Sequence, residues 1–215
     1  KHRNGSGANP SPVTDGKYIF AYYRSGNFAG LDIKGKVLWT TNLQERFGKD
    51  TLYWDIGTSP VVTQSHAVIA VIQERGSFLA AFDKKSGEIA WKVARNYECP
   101  TEGDHSYTTP IVVRHEGKEA ILVWGAERLT LHSAADGKII WSCSGFNPEK
   151  RRNWVTVASP VIASGVVVVP YGRGARLAGV KLGGKGDVTA THRLWTVKDN
   201  GTFVPTPAAS GDEVY

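Results

Sequence analysis

A Ser-Pro or Thr-Pro dipeptide recurs along this chain at nearly constant spacing, and no other feature constrains the fold as strongly. Each copy opens a short apolar run, and the five prolines are Pro12, Pro60, Pro110, Pro160 and Pro207. Successive prolines are 48, 50, 50 and 47 residues apart. A tryptophan closes the unit with gaps of 52, 50 and 54 residues, at Trp39, Trp91, Trp141 and Trp195. Two independent markers with one period indicate a tandem repeat, and an unrelated β-sandwich with accidental spacing is the weaker alternative.

Residues 59–91 show the repeat unit most clearly. They contain four short segments, SPVVT, HAVIAVI, SFLAAFD and EIAW, separated by turn residues. Apolar residues alternate or run in short blocks, which is the pattern of β-strands and not of helices. A lone four-stranded meander cannot bury both of its faces, so it needs copies of itself to stack against. Four-stranded units repeated about every 50 residues predict the blades of an all-β protein, a β-propeller.

The repeat predicts a single partial propeller over residues 1–215, with no boundary between domains. Its blades are predicted at residues 11–43, 58–95, 108–145 and 158–199, with a longer loop at 183–192, and residues 205–215 are predicted to be the first strand of the next blade. Propellers have about 4–8 blades, so we expect this arc to be about half of a ring of roughly seven or eight. We expect the remaining blades to belong to a longer chain, because the sequence has neither a signal peptide nor a methionine. Self-association of two arcs is the alternative way to cover the apolar flanks.

The turn before each tryptophan is the most specific part of the unit. In the second unit it reads AFDKKSGEIAW and ends at Trp91. An Asp in this position can accept hydrogen bonds from the backbone N–H groups that follow, a Gly supplies positive φ, and the indole packs between neighbouring blades. The residues assigned to this structural repeat are the four tryptophans with Asp32, Asp83, Gly35, Gly87 and Gly137. The third unit has Ser133 in place of the Asp, and the fourth keeps only its tryptophan.

This A-x-D-x-x-x-G-x-x-x-W pattern resembles the tryptophan-docking motif of the pyrroloquinoline-quinone (PQQ) repeat family. The resemblance covers residues 11–215; the second unit matches well, the first and third fairly, and the fourth weakly. The family includes quinoprotein alcohol dehydrogenases and non-enzymatic propeller lipoproteins of the BamB type, which help to assemble outer-membrane proteins. Many exported members have no assigned activity. The resemblance therefore implies the fold strongly and the function weakly.

The sequence holds few of the residues that a quinoprotein dehydrogenase needs. The resemblance implies a disulfide between adjacent cysteines against the quinone, a tryptophan beneath it, a calcium ion held by Glu and Asn, and an Asp base. The only cysteines here are Cys99 and Cys143, so no adjacent pair exists. Glu102, Asp104 and His105 are the only cluster of possible ligands, and one loop is weak evidence for calcium. We therefore predict no catalytic residues, no PQQ and no metal site.

The sequence leaves three states of the two cysteines open. An exported protein could pair Cys99 with Cys143 in a disulfide. The outer edges of neighbouring blades diverge, so a Cα separation of about 5.5 Å would be awkward to reach, and two free thiols are favoured. A metal site formed with a histidine is the least favoured, because no ligand spacing supports it.

Binding residues are expected just upstream of each Ser/Thr-Pro, where connectors run inward over one face of a propeller. Aromatic and charged side chains share this register and could form a patch for a peptide segment or a glycan. The candidates are Trp54, Asp55, Asp104, His105, Tyr107, Arg151, Arg152, Asn153 and Trp154. The alternative is that Trp54 and Trp154 only cover the blade core.

Charge and hydropathy exclude two further classes. The net charge is +6, but the Lys and Arg residues are spread over many turns and do not line one segment, so no nucleic-acid groove is predicted. No apolar run approaches the roughly 20 residues of a membrane-spanning helix.

Our expectation is a non-catalytic interaction scaffold, periplasmic or otherwise outside the cytoplasm, with a protein or peptide partner. The alternatives are a fragment of a PQQ-dependent dehydrogenase or the sensor propeller of a bacterial Ser/Thr kinase.

Overall fold

The computed structural model describes residues 7–215, so the first six residues of the predicted partial propeller lie outside the described part. The chain folds as two compact units. The first contains the described residues up to Asn96, with Thr109–Ile121 and Ser133–Lys138. The second contains Tyr97–Thr108, Leu122–His132 and Ile139–Tyr215. Neither helix found between residues 7 and 215 is long and apolar enough to cross a membrane.

Two complete antiparallel sheets form most of the first unit. The first sheet contains β1 (Val13–Thr14), β2 (Tyr18–Tyr22), β3 (Asn27–Asp32) and β4 (Val37–Asn42), followed by the helix α1 (Leu43–Phe47). The second sheet contains β5 (Val61–Val62), β6 (His66–Val71), β7 (Phe78–Asp83) and β8 (Ile89–Ala94). Strands neighbour each other in chain order, so each sheet is a meander. The unit also holds β9 (Ile111–His115) and the first half of β10 (Lys118–Gly125).

The core of the first unit lies along the middle strands of its sheets. β6 and β7 are buried along almost their whole length, whereas β8 alternates between half-buried and exposed positions. Phe28 meets the rings of Trp39 and Phe82 edge to face, at centroid distances of 5.3 and 5.2 Å. Such pairs add to the stabilisation that comes from burying the rings. The longest apolar runs in the second repeat are thus the middle strands of its sheet.

The second unit contains the rest of the third sheet and all of the fourth. The third sheet continues with β11 (Arg128–Ser133) and β12 (Ile139–Cys143). The fourth contains β13 (Val161–Ala163), β14 (Val166–Tyr171), β15 (Arg176–Lys181) and β17 (Arg193–Lys198). Between β15 and β17 lie β16 (Gly186–Asp187) and the helix α2 (Thr189–His192). The prediction of an all-β chain of four-stranded antiparallel sheets is confirmed.

The structure corrects the sequence prediction in two places. The predicted loop at residues 183–192 contains β16, which pairs in parallel with β12, with Gly186 opposite Trp141. The third sheet therefore has a fifth strand at its outer edge. The sequence predicts one strand over residues 205–215, but they turn at Gly211 (φ 63°) into a hairpin of β18 (Ala209–Ser210) and β19 (Glu213–Val214). The turn residues Ser210-Gly211-Asp212 explain the hairpin.

Each repeated tryptophan occupies the same register on the fourth strand of its sheet. The pairs are Gly30 with Trp39, Ala81 with Trp91, Leu131 with Trp141 and Gly179 with Trp195. In all four sheets the register shifts by a bulge just after this pair. A bulge bends the strand and re-aims the neighbouring side chain, so it places every indole in the same way.

The hydroxyls of three Ser/Thr-Pro dipeptides accept a hydrogen bond from the preceding repeat. In the first unit the backbone N–H of Ser11 donates to Ser59 Oγ at 2.9 Å, and that of Ser59 donates to Thr109 Oγ1 at 3.1 Å. In the second unit the N–H of Ser159 donates to Thr206 Oγ1 at 3.1 Å. The proline thus marks the start of an inner strand, and the residue before it supplies an acceptor to the neighbouring repeat.

Candidate functional site

In the first unit, the tryptophan of one sheet docks on the turn of the next. Trp39 Nε1 donates to the carbonyl oxygen of Lys84 at 3.0 Å, and Trp91 Nε1 donates to that of Ala134 at 3.1 Å. Gly87 and Gly137 lie against these indoles, and an added Cβ would approach the rings to 2.5 and 2.6 Å. Both glycines have φ of 73°, so the turn needs glycine for its backbone as well as for the close approach.

An acidic side chain closes the docking turn from within. Asp83 Oδ1 accepts hydrogen bonds from the backbone N–H groups of Ser86 at 2.7 Å and Lys85 at 2.9 Å. These hydrogen bonds lower the pKa of Asp83, because they favour its ionised form. Asp32 makes the same kind of contact in the first sheet, with the N–H groups of Lys34 and Lys36, each at 2.9 Å.

The tryptophans of the second unit have different surroundings. Trp141 is fully buried, yet its Nε1 has no hydrogen-bond partner within residues 7–215. Trp195 is 39% exposed and lies over Gly179 of its own sheet. The fourth repeat, which follows that of Trp141, has lost the turn motif. It therefore offers Trp141 no carbonyl equivalent to those of Lys84 and Ala134, which accept from Trp39 and Trp91. In the first unit, a Cβ added to Gly35 would have nothing within 4 Å, so no indole rests on that turn.

The connector between the first two sheets presents two aromatic rings to solvent. Tyr53 and Trp54 are 59% and 48% exposed, and their rings meet edge to face with centroids 5.1 Å apart. Asp55, the next residue, is buried with φ of 64° and forms an ion pair with Arg24. A buried acid paired with a base resists displacement, because separating them would leave a desolvated charge. Asp55 therefore anchors the segment, while the two rings stay accessible.

The predicted site residues of the second unit lie on two connectors that run side by side. Ser106 forms a parallel bridge with Thr156, the N–H of Tyr107 donates to the Thr156 carbonyl at 2.9 Å, and the N–H of Thr156 donates to the His105 carbonyl at 3.0 Å. The N–H of Asn153 donates to the Thr101 carbonyl at 2.7 Å. The structure thus brings Asp104, His105 and Tyr107 next to residues 151–154, with His105 buried.

Trp154 and Trp54 occupy matching sequence positions but have different environments. Trp154 is 8% exposed, its Nε1 donates to the Phe146 carbonyl at 3.0 Å, and its ring lies against Gly172. It therefore covers the core. Arg151 and Arg152 are exposed beside it, and the Arg151 guanidinium lies 5.4 Å from the indole centroid. The exposed residues Arg151, Arg152 and Asn153 are the part of this connector that is available to a partner.

A cleft of about 400 Å³ opens in the second unit between three segments distant in sequence. Its walls come from residues 98–100, 126–128 and 144–150. Phe146 and Ala126 are fully buried at its base. Glu127 is half-buried, and its Oε1 accepts a hydrogen bond from Asn147 Nδ2 at 2.6 Å. Burial raises the pKa of Glu127 above its ordinary value, although the Asn147 hydrogen bond opposes this. Sequence reasoning missed this site because no motif joins the three segments.

The cysteines are both free thiols. Cys99 is half-buried on the cleft wall, and Cys143 is fully buried on β12, with the Arg193 guanidinium 3.6 Å from its sulfur. Among the described residues, no group of three or more His, Cys, Asp or Glu side chains is placed to hold a metal ion. Of the three states left open by the sequence, the structure shows the free thiols.

Tandem four-stranded sheets, tied together by tryptophan-docking turns, define a β-propeller of PQQ-like repeats. The chain belongs to the family described as outer membrane protein assembly factor BamB, whose family model matches residues 1–215. Comparison with curated protein sequences found no significant match.

Two solved structures illustrate the likeness. BamB from Moraxella catarrhalis is 16% identical with a TM-score of 0.61, over 94% of this chain and 55% of that chain. A quinohemoprotein alcohol dehydrogenase from Pseudomonas putida is 15% identical with a TM-score of 0.59, over 89% of this chain and 34% of that chain. At these identities the likeness shows the fold alone. The chain also spans only about half, or a third, of the length of these proteins.

The second relative raises the question of whether residues 7–215 fit a quinone cofactor. The clamp implied by the dehydrogenase resemblance is a pair of adjacent cysteines, and Cys99 and Cys143 lie on different elements. Cys143 is also inaccessible, because it is fully buried. The described residues therefore lack the adjacent-cysteine clamp that this resemblance implies.

Proposed function

We propose that this chain is part of a non-catalytic propeller outside the cytoplasm that binds polypeptide segments on its connectors. The observation that carries the proposal is the exposed pair Tyr53 and Trp54, 59% and 48% accessible on a connector anchored by Asp55. Large exposed aromatic residues are enriched at the energetic centres of protein interfaces. The family description, an assembly factor for outer membrane proteins, agrees with a polypeptide as the ligand.

The anchoring of the pair makes it suitable for binding. A ring held on a fixed backbone loses little conformational freedom when a partner docks, so more of the contact energy appears as affinity. Edge-to-face packing of the two rings further restricts their rotamers. An extended segment with apolar or aromatic side chains is the partner that such a surface suits best.

Binding of a denatured outer-membrane β-barrel polypeptide, diluted from urea into the purified chain, tests the proposal. Replacing both aromatics (Tyr53→Ser with Trp54→Ser) should weaken binding at least about tenfold, because interface aromatics commonly contribute more than about 1 kcal/mol each. Tyr215→Ser is the matched control, since Tyr215 is 73% exposed but lies in the C-terminal hairpin region. It should bind like the unaltered chain.

Two results would overturn this function. One is equal affinity of the double variant and the unaltered chain, with thermal unfolding showing that both are folded. The other is dye-linked alcohol oxidation after addition of PQQ and calcium, which would favour the dehydrogenase alternative.

A further inference from the structure

The Glu127 carboxylate in the cleft forms no salt bridge among residues 7–215, and the adjacent Arg128 attracts it only from beyond salt-bridge distance. Across residues 7–215, the Asn147 amide is the one side chain that hydrogen-bonds to Glu127, and no Lys, Arg or His forms an ion pair with it. Arg128, the adjacent residue, stacks on the ring of Tyr97 with its guanidinium carbon 4.6 Å from the centroid. A half-buried carboxylate is costly to leave unpaired, so this arrangement favours a cationic ligand.

The carboxylate is held in place by its neighbours. Asn147 is 6% exposed, its Nδ2 also donates to the Arg151 carbonyl at 2.8 Å, and its Oδ1 accepts from the Arg151 backbone N–H at 2.9 Å. These hydrogen bonds fix the orientation of the Asn147 amide. The amide in turn holds Glu127 Oε1, and the second oxygen of the carboxylate can accept hydrogen bonds from a ligand. Gly103 passes close on another side, where an added Cβ would lie 2.7 Å from Glu127 Oε1.

The backbone around the cleft is held in an unusual conformation. Ala126, Glu127 and Lys150 have φ of 51°, 55° and 50°, in the left-handed region that non-glycine residues seldom adopt. Two consecutive left-handed residues at Ala126 and Glu127 form the turn between β10 and β11 and direct Glu127 to the cleft. A two-residue hairpin turn requires left-handed φ at both central residues, so the hairpin itself fixes where Glu127 lies.

The chemistry beside the cleft suits a guanidinium in particular. The guanidinium carbon of Arg193 lies 4.3 Å from the centroid of Phe146, a ring at the base of the cleft. Arg193 also donates to the carbonyl oxygens of Ser144 and of Gly145, the latter at 3.1 Å. The same short segment thus already binds one planar cation by stacking and by carbonyl acceptors.

We propose that this cleft binds the guanidinium of an arginine side chain on an extended polypeptide, with Glu127 as the carboxylate partner. The proposal rests on the proposed function, since it names a side chain that the bound segment would carry. It adds selectivity for a positive charge to the apolar and aromatic selectivity proposed for Tyr53 and Trp54.

A pair of blocked tripeptides tests this site: Gly-Arg-Gly and Gly-citrulline-Gly, which differ in charge and hardly in shape. The unaltered chain should bind the arginine peptide about tenfold or more tightly than the citrulline peptide, because hydrogen bonds between charged groups are worth about 1.5–3 kcal/mol. Glu127→Gln should reduce this ratio to about one. The glutamine can still accept the Asn147 hydrogen bond, so the variant should fold.

Glu74→Gln is the matched control, because Glu74 is an exposed glutamate in the turn between β6 and β7 of the second sheet. It should keep the full ratio. Cys99 gives a second measurement, since it lies on the cleft wall: the arginine peptide should slow its alkylation, while buried Cys143 should not react. In Glu127→Gln, neither peptide should protect Cys99.

Equal binding of the two peptides by the unaltered chain would overturn the arginine site. So would an unchanged ratio in Glu127→Gln. If the denatured β-barrel polypeptide still binds through Tyr53 and Trp54, only the cleft inference fails. If that polypeptide does not bind either, the proposed function fails with it.

Discussion

Trp91 and Trp141 occupy the same register in consecutive repeats, yet only one of them has a hydrogen-bond partner. Trp91 donates to the Ala134 carbonyl and rests against Gly137, because the third repeat keeps the docking glycine. Trp141 is fully buried and its Nε1 is unpaired within the described residues. Leaving a buried N–H unpaired costs about 1–3 kcal/mol. The difference teaches that burial of the indole and satisfaction of its N–H are separate contributions, and only the second requires the turn motif.

The largest effect should come from removing the buried rings. We expect Trp141→Ala to lower the free energy of unfolding by about 3–5 kcal/mol, because it leaves a large cavity. Trp195→Ala should cost roughly 1–2 kcal/mol, because its ring is 39% exposed and has less apolar area to lose. Urea unfolding followed by circular dichroism measures both. Equal losses would mean that burial does not set the contribution of these tryptophans.

Replacing a docking-turn glycine by alanine should have an intermediate effect on the free energy of unfolding. Gly137→Ala should cost about 1–2 kcal/mol for the left-handed backbone. It should cost a further ~1–3 kcal/mol for the clash with Trp91, which an added Cβ would approach to 2.6 Å. Gly35→Ala should show the backbone cost alone, because its φ is 86° and nothing lies within 4 Å of the added carbon. Similar losses at both sites in the same unfolding measurement would show that the indole adjusts without cost.

The smallest effect is expected at the ion pair between Asp15 of the first sheet and Lys84 of the second. Burial alone would raise the pKa of Asp15, but the Lys84 ammonium at 2.8 Å and two backbone N–H groups outweigh it and lower that pKa to about 2. Because the pKa is lowered, the ionised Asp15 stabilises the folded state at pH values above its ordinary pKa of 3.8. This stabilisation is lost as the pH falls from 3.8 towards about 2. Lys84→Met should move the pKa of Asp15 part of the way back to 3.8. An NMR titration of the Asp15 carboxyl carbon measures this, and an unchanged pKa would show that the backbone groups act alone.

The sequence predicted the parts of the molecule that local patterns determine. Apolar runs and turn residues indicated four-stranded sheets, and the tryptophan spacing placed each indole on the fourth strand, because a repeated sequence must repeat its register. The turn around Asp83 and Gly87 was also predictable, since a short polar side chain and a glycine between two apolar runs are typical of a tight turn.

The remaining features depend on residues that meet only after folding. Trp54 and Trp154 share a sequence position, but Trp154 is buried against Gly172 and the Phe146 carbonyl, whereas Trp54 is 48% exposed. The Glu127 cleft needs three segments about 20 to 50 residues apart, and none of them carries a motif. The Ser and Thr hydroxyls before the prolines were visible, but their acceptor role appears only when two inner strands lie side by side.

The short strand β16 has a consequence for the behaviour of the protein in a crowded compartment. An outer strand with free N–H and C=O groups can recruit a strand from another molecule, and this is a common start of aggregation. In this chain, Gly186 and Asp187 of the inserted loop pair with Trp141 and Ser142 of β12. Part of the exposed edge of β12 is therefore already covered by a strand of the same chain. A strand from another molecule cannot pair with the part of the edge that β16 already covers, so this loop limits fibre-like pairing at the third sheet.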